Sequence, residues 1–272
     1  SEMCIRDSAG TYYLVDGEGW INASDLSRID NRIEAVQKVL NEKYNNQERI
    51  SVYVKQLDTD RVAAINDEKS MYAASVAKLG VLYYAQERLS QKKLSLSDEY
   101  QYTSAVNGFP GAYDPDGSGK ISKMPDDKNY SLENLLKAVA QNSDNVATNI
   151  LGYYVTNQYD KAFQKSVDKA AATSWNMDKK ELTARAAGTL MEAVYRQNGD
   201  IINYLSSTDY DGERISKNID VPVAHKIGDA YDFKHDVAIV YADSPFILSI
   251  FTDKEGYDKI TSIADDVYGI LK

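Results

Sequence analysis

An α/β protein of the α+β kind is the fold class that this 272-residue sequence predicts. Three observations point to it. β-Prone runs gather toward the two ends of the chain, helical periodicities fill the middle, and no internal repeat of the kind that builds solenoids or propellers is visible. Strands at both ends with helices between them imply one sheet assembled from distant parts of the chain, with an all-helical block inserted. A content of 43% hydrophobic and 26% charged residues suits one large domain, with or without a small appendage.

The elements follow in order. Around the turn D-G-E-G stand two short β-prone runs, Tyr12 to Val15 and Trp20 to Asn22. They resemble the last hairpin of a bacterial SH3-like or GW-type wall-binding module; an N-terminal hairpin packed on the main domain is the equal alternative. Residues 1–8 read as an extension rather than as fold. Beyond Ser27, apolar residues at Ile29, Ile33, Val36 and Val39/Leu40 have the spacing of an amphipathic helix. Ile50 to Leu57 and Val62 to Ile65 flank D-T-D-R and predict a β-hairpin. Helices are expected at Val76 to Leu89, Leu132 to Gln141, Val146 to Val155 and Ala184 to Arg196. Strands return at Val221 to Lys226, Asp236 to Tyr241 and Phe246 to Phe251, and a helix from Tyr257 to Leu271 closes the chain.

Composition narrows the function. Lysine plus arginine number 31 against 41 acidic residues, and the net charge of -10 argues against nucleic acid or an anionic membrane surface as the main partner. Neutral or cationic substrates fit better. A single cysteine, Cys4, excludes an internal disulfide framework and a Cys-rich metal site. No run approaches the roughly 20 apolar residues that cross a bilayer. The opening S-E-M-C-I-R-D-S lacks a signal-peptide core, so a soluble chain is expected.

One stretch raises the question of chemistry. A-S-V-A-K-L-G places Ser75 three residues before Lys78 at the start of an apolar helix, where unpaired N–H groups and the positive dipole end favour developing negative charge. A lysine drawn into an apolar setting loses basicity and can accept the serine proton. The same S-x-x-K spacing at Ser90/Lys93 and Ser166/Lys169 stands among charged residues and reads as solvated surface. Taken alone, Ser75 is more simply an N-cap serine beside an unrelated lysine. Two further pieces alter that balance: Q-N-S-D-N-V-A, with Ser143, Asp144 and Asn145 between two predicted helices, and V-A-H-K-I-G, with Lys226 and Gly228 on a strand.

The order S-x-x-K, S-D-N, K-x-G resembles the penicillin-recognising serine hydrolases: class A β-lactamases and low-molecular-weight D,D-peptidases. The resemblance runs from about Ser51 to the C-terminus, and T-A-R-A-A-G-T-L-M looks like the family's later hydrophobic helix. It implies an antiparallel sheet flanked by helices with an inserted helical subdomain. The domain is expected over 28–272, its sheet parts about 28–70 and 215–272, its helical part about 71–214, with 1–27 as an N-terminal extension. Ser75 Oγ would attack a strained amide or a D-Ala-D-Ala carbonyl, Lys78, expected within hydrogen-bond reach of it, would take its proton, and Ser143 would pass a proton to the leaving nitrogen. Asn145 would hold the substrate's side-chain amide, and Lys226 would attract the substrate carboxylate. The N–H groups of Ser75 and Asp229 would form the oxyanion hole. Asp144 would shape its loop, and Gly228 would keep the strand clear for substrate. The resemblance further implies a monomer acting on a β-lactam or a peptidoglycan-derived peptide, secreted or at the surface of a Gram-positive bacterium, with neither cofactor nor metal.

Two departures bear on turnover. The E-x-x-L-N stretch that in class A β-lactamases supplies the water-activating glutamate does not occur between Asn145 and Thr183. Glu181, the glutamate in that interval, abuts the next helix and is expected at the surface. Ile227 stands where the family normally has threonine or serine, whose hydroxyl binds the substrate carboxylate. Elsewhere, D-P-D-G-S-G-K-I from Asp114 imitates an EF-hand loop, but Pro125 occupies its twelfth position and cannot supply the bidentate carboxylate. A triad through His235 and Asp236 is the weaker alternative to a lysine-based site. His225 and Lys226, adjacent on a strand, should face opposite sides. Three functions fit: an acyl-enzyme former with slow deacylation, a D,D-carboxypeptidase or related wall hydrolase, and a wall-binding domain whose catalysis has decayed at Ile227.

Overall fold

The structure, a computed structural model, describes residues 5–9, 12–15, 19–22 and 30–272. Cys4, most of the D-G-E-G turn and Ile29 lie outside them. The chain divides into two compact units, Ser1–Asn31 and Arg32–Lys272. In the first, β1 (Ile5–Ala9), β2 (Tyr12–Val15) and β3 (Gly19–Asn22) form an antiparallel sheet in the order β1-β2-β3. The expected extension is therefore partly a strand: I-R-D-S-A carries no alternation to announce it, and pairing with β2 supplies the backbone partners instead.

The second unit holds α1 (Arg32–Tyr44), β4 (Ile50–Gln56), β5 (Val62–Ile65), β6 (Met71–Tyr72), α2 (Leu79–Ser90), β7 (Glu99–Gln101) and β8 (Asn129–Ser131). There follow α3 (Leu132–Asn142), α4 (Asn145–Tyr154), α5 (Lys161–Ala171), β9 (Glu181–Leu182), α6 (Ala184–Gln197), α7 (Asp200–Leu205), β10 (Val223–Ala230), β11 (Phe233–Val240), β12 (Phe246–Asp253) and α8 (Tyr257–Leu271). The main sheet is antiparallel with the order β10-β11-β12-β4-β5, so the two ends of the unit meet where β12 pairs with β4.

Alternation along the strands splits the core in two. On one face Val52, Val54, Leu248 and Ile250 pack with Ile33, Val36 and Leu40 of α1 and Ile260, Ile263 and Val267 of α8. On the other, Tyr53, Ile247 and Phe251 join the helical block through Leu190, Met191 and Val194 of α6. Burial of both faces explains why β12 reads F-I-L-S-I-F, a nearly continuous apolar run. β10 forms one edge of this sheet, with the helical block beside it, and the remaining chemistry gathers there.

Candidate active site

Ser75 lies in a 3-10 turn, Ala74–Lys78, that runs directly into α2. The turn's N-cap is Ala73, without a side-chain capping bond, so Ser75 is not the N-cap serine of the simpler reading. Three residues per turn place side chains at i and i+3 over one another, which brings Lys78 onto the face of Ser75. Ala74, at φ 49°, carries a left-handed backbone immediately before the serine, with the Tyr113 hydroxyl donating to its carbonyl at 3.3 Å. Ser75 is buried and Lys78 fully so.

The S-D-N loop approaches from the helical block. Ser143 caps the C-terminus of α3 in the left-handed region (φ 54°), and Asp144 starts α4, its carboxylate accepting from Ala147 N at 2.8 Å. The other Asp144 oxygen accepts from Lys120 N and Ile121 N, at 2.6 and 2.9 Å. The loop that imitates an EF-hand is thus the brace of this motif. Asp114 O accepts from Asn145 Nδ2 at 2.7 Å, Ser118 O accepts from Asn145 N at 2.9 Å, and a Cβ on Gly119 (φ 126°) would lie 2.3 Å from Asp144.

Lys78, Ser143, Asn145 and Lys226 converge. Lys78 Nζ donates to Ser143 O and Asn145 Oδ1, both at 2.6 Å, and stands 3.4 Å from Ser143 Oγ. None of these bonds is to Ser75, contrary to the contact expected from the motif, because the S-D-N loop offers the amine two fixed carbonyl acceptors. In the neutral form those two N–H bonds leave the nitrogen lone pair unused. Lys226 Nζ donates to Ser143 Oγ at 2.8 Å and to Ile227 O at 3.0 Å, so the Ser143 hydroxyl sits between two amines. Burial pushes Lys78 well below the ordinary lysine range, and the charge of Lys226 adds to it. Burial likewise lowers Lys226 to about 7 against the attraction of Asp236.

The strand β10 sorts its residues by side. His225 faces away from Lys226, its Nδ1 at 3.0 Å from Asp236 and its Nε2 at 3.1 Å from Asp211 and 3.0 Å from Thr208 Oγ1. His235 is not part of a triad: its Nε2 meets Tyr72 O at 2.9 Å, and its Nδ1 accepts from Thr252 N at 3.1 Å. Burial lowers it to about 4, so it is neutral. At Gly228 the serine turn itself leaves no room for a side chain. A Cβ there would meet Ala73 O at 2.5 Å and Val76 Cγ2 at 3.0 Å. Ile227 lines a cleft of about 690 Å³ with Ser118, Tyr210, Arg214, Asp229 and Tyr257. The Asp229 carboxylate is taken up by Arg214, Lys234 and Tyr257.

Four residues of the site carried no mark in the sequence. Arg214, in G-E-R-I-S-K, reads as solvated surface, yet it is buried with its guanidinium 3.8 Å from the Tyr257 ring. Trp175 donates to Ala77 O at 3.1 Å beneath the serine turn, where Gly80 makes room for its ring; a glycine within an apolar helix was the available signal. Tyr113 lies 4.5 Å from Lys78 Nζ, and Lys180, inside the charged run D-K-K-E, lies 4.5 Å from the same ring. Glu181 is exposed on β9, paired with Tyr72, as expected of a surface residue.

A profile described as the β-lactamase enzyme family matches residues 31–271. No match was found among curated proteins. Among solved structures, PBP-A is similar at 15% identity with a TM-score of 0.71, covering 89% of this chain and 96% of its own. The TLA-3 extended-spectrum β-lactamase is similar at 18% identity and TM-score 0.70, over 89% of this chain and 98% of its own. A β-lactamase from Sphaerobacter thermophilus gives 15% identity and TM-score 0.67, over 89% and 96%. A mutant of PBP-A has been solved as an acyl-enzyme complex with penicillin G.

Proposed function

Because the chain belongs to the β-lactamase enzyme family, we propose that it is a serine hydrolase that forms an acyl-enzyme at Ser75 with β-lactams or peptidoglycan-type peptides and releases it slowly. The observation that carries this reading is the meeting of Lys78, Ser143, Asn145 and Lys226 one 3-10 turn from Ser75. Ser75 Oγ attacks the carbonyl carbon while its proton passes to the Lys78 amine, whose lone pair its two short hydrogen bonds leave open. The N–H groups of Ser75 and Asp229 receive the oxyanion. As the C–N bond breaks, Ser143 hands its proton to the departing nitrogen and is resupplied across its 2.8 Å contact with Lys226. Asn145 and Lys226 orient the substrate through its amide and its carboxylate.

Hydrolysis needs a second activated nucleophile, and here support fails. Among the described residues no carboxylate lies within ion-pair distance of Lys78, and Glu181 is turned to the surface on β9. Loss of a general base costs on the order of 10² to 10⁴ in rate, so the acyl-enzyme accumulates. Penicillin capture by a PBP-A mutant of the same fold is in keeping with this reading.

Intact-mass analysis after incubation with several β-lactams tests it. A persistent adduct equal to the drug's mass is expected on the native protein and none on Ser75→Ala, whose melting temperature should be nearly unchanged because only one hydroxyl is lost. A wild-type protein that stays unmodified by every drug, or an adduct that survives in Ser75→Ala, would sink the assignment.

A further inference from the structure

Lys180 ends the turn between α5 and β9 in the left-handed region (φ 54°), and its backbone is tied to the serine turn by Ala73 N donating to Lys180 O at 2.7 Å. Its side chain is buried, with a relative exposure of 5% for the residue. The amine donates to Gly111 O at 2.9 Å and lies 4.5 Å from the Tyr113 ring centroid. Lys78 Nζ lies at the same distance from that centroid, so the two amines are separated by at most twice that length. Gly111, the acceptor of the Lys180 amine, is packed against the turn that carries Lys180: at φ 84°, a Cβ on it would lie 3.0 Å from Met177 O and 3.1 Å from the Tyr159 ring. Among the described residues neither amine has a carboxylate within ion-pair distance.

A second buried lysine beside the first, without an acid to neutralise it, is costly to the fold. We infer that Lys180 is a positioning residue for the Ser75–Lys78 pair: its ammonium, held against the Tyr113 ring, keeps the Lys78 amine uncharged and so able to take the serine proton. This rests on the acylation reading for its use, though not for its existence. The groups that face Lys78 are Lys226 from β10, Lys180 from the turn before β9, Lys123 from the loop before β8, and Asp144 at the start of α4, with Tyr113 alongside. Only Asp144 favours the charged form, and its oxygens are occupied by Ala147, Lys120 and Ile121 N–H groups. Lys180 faces Tyr113 and Asp178; burial lowers its amine below the ordinary lysine range, and Asp178 opposes that shift. Lys78 is enclosed completely with Lys226 beside it, whereas Lys180 has Asp178 to favour its charge, and Lys180 is therefore the more readily charged of the two.

The test reads Lys78 directly. With lysines labelled at Cε and the Lys78 signal assigned by its loss in Lys78→Arg, the NMR titration midpoint is compared among wild type, Lys180→Met, Lys180→Gln and Lys180→Arg. Removing a unit charge at this range should raise the Lys78 midpoint by about one pH unit in the Met and Gln variants. The Arg variant, which keeps the charge, should stay near wild type, and the acidic limb of Ser75 acylation should move with the midpoint. An unmoved midpoint in both neutral variants, or an equal shift in the Arg variant, would overturn the inference. A shifted midpoint in a protein that never acylates would sustain it and discard the proposed reaction instead.

Discussion

In the proposed reading Ile227 on β10 stands where a hydroxyl would meet the substrate's carboxylate, and it lines the cleft together with Asp229 and Arg214. A buried sec-butyl side chain offers that anion no hydrogen bond, and a missing hydrogen bond to a charged group weakens binding by on the order of 1 to 3 kcal/mol. Ile227→Thr should therefore raise the second-order rate of acylation by about 5- to 150-fold. It should leave deacylation unchanged, since threonine supplies a carboxylate ligand and no base for water. Stopped-flow hydrolysis of a chromogenic cephalosporin separates the two steps as burst and steady state. Rapid multiple turnover without an accumulating acyl-enzyme would show that another residue activates water. The motif residues were legible because their types and order repeat a known chemistry. Lys180 and Arg214 were not, because a lysine in D-K-K-E and an arginine in G-E-R-I-S look identical to solvated ones until the chain folds over them.

Among the elements, β10 and the 3-10 turn that carries Ser75 meet through backbone rather than side chains. Ala73 O lies so close to Gly228 that any Cβ there would sit 2.5 Å from it, and His235 Cδ2, across the pair Gly228↔His235, would be 3.3 Å away. Gly228→Ala must push strand and turn apart. A loss of about 1 to 3 kcal/mol in unfolding free energy is expected by urea titration, together with a fall in acylation. Unchanged stability would mean that the two elements slide past each other at no cost. Helix boundaries at 132 and 184 follow from periodicity and caps, since Ser131 and Thr183 each accept from an N–H group of the helix that they open, whereas the helix from 257 starts after Gly256 with no side-chain cap. The 3-10 geometry at Ser75 was hidden, since S-V-A-K-L-G-V-L has the composition of an ordinary α-helix and only the contacts of Ala73 and Ala74 tighten its first turn.

For the molecule as a whole, a buried ionic cluster couples folding to pH. Burial alone would lower the His225 imidazole, but the Asp236 and Asp211 carboxylates outweigh it and raise it to about 9. A base whose folded pKa exceeds its unfolded value of about 6.5 contributes stability fully present below that value and lost as pH climbs through about 9. The contribution is on the order of 3 kcal/mol. Lys78 and Lys226 work in the opposite sense, since the unfolded chain binds their protons more tightly, and they cancel when two proteins that both carry them are compared. The stability advantage of wild type over His225→Gln should thus be largest at about pH 6 and smaller at about pH 10. An advantage that is equal at both would show that the imidazole is uncharged in the fold.

The strands β4, β5 and β10 to β12, the positions of both amphipathic terminal helices and the motifs S-x-x-K, S-D-N and K-x-G are local properties, written in periodicity and residue type over a few turns. Charge pairing is not local. That His225 sits between two aspartates, that Asp144 braces a glycine-rich loop, and that two lysines share one tyrosine ring all depend on segments far apart in the chain. Burial sets the strength of each such interaction by removing water, and burial exists only once the sheet has closed between β12 and β4.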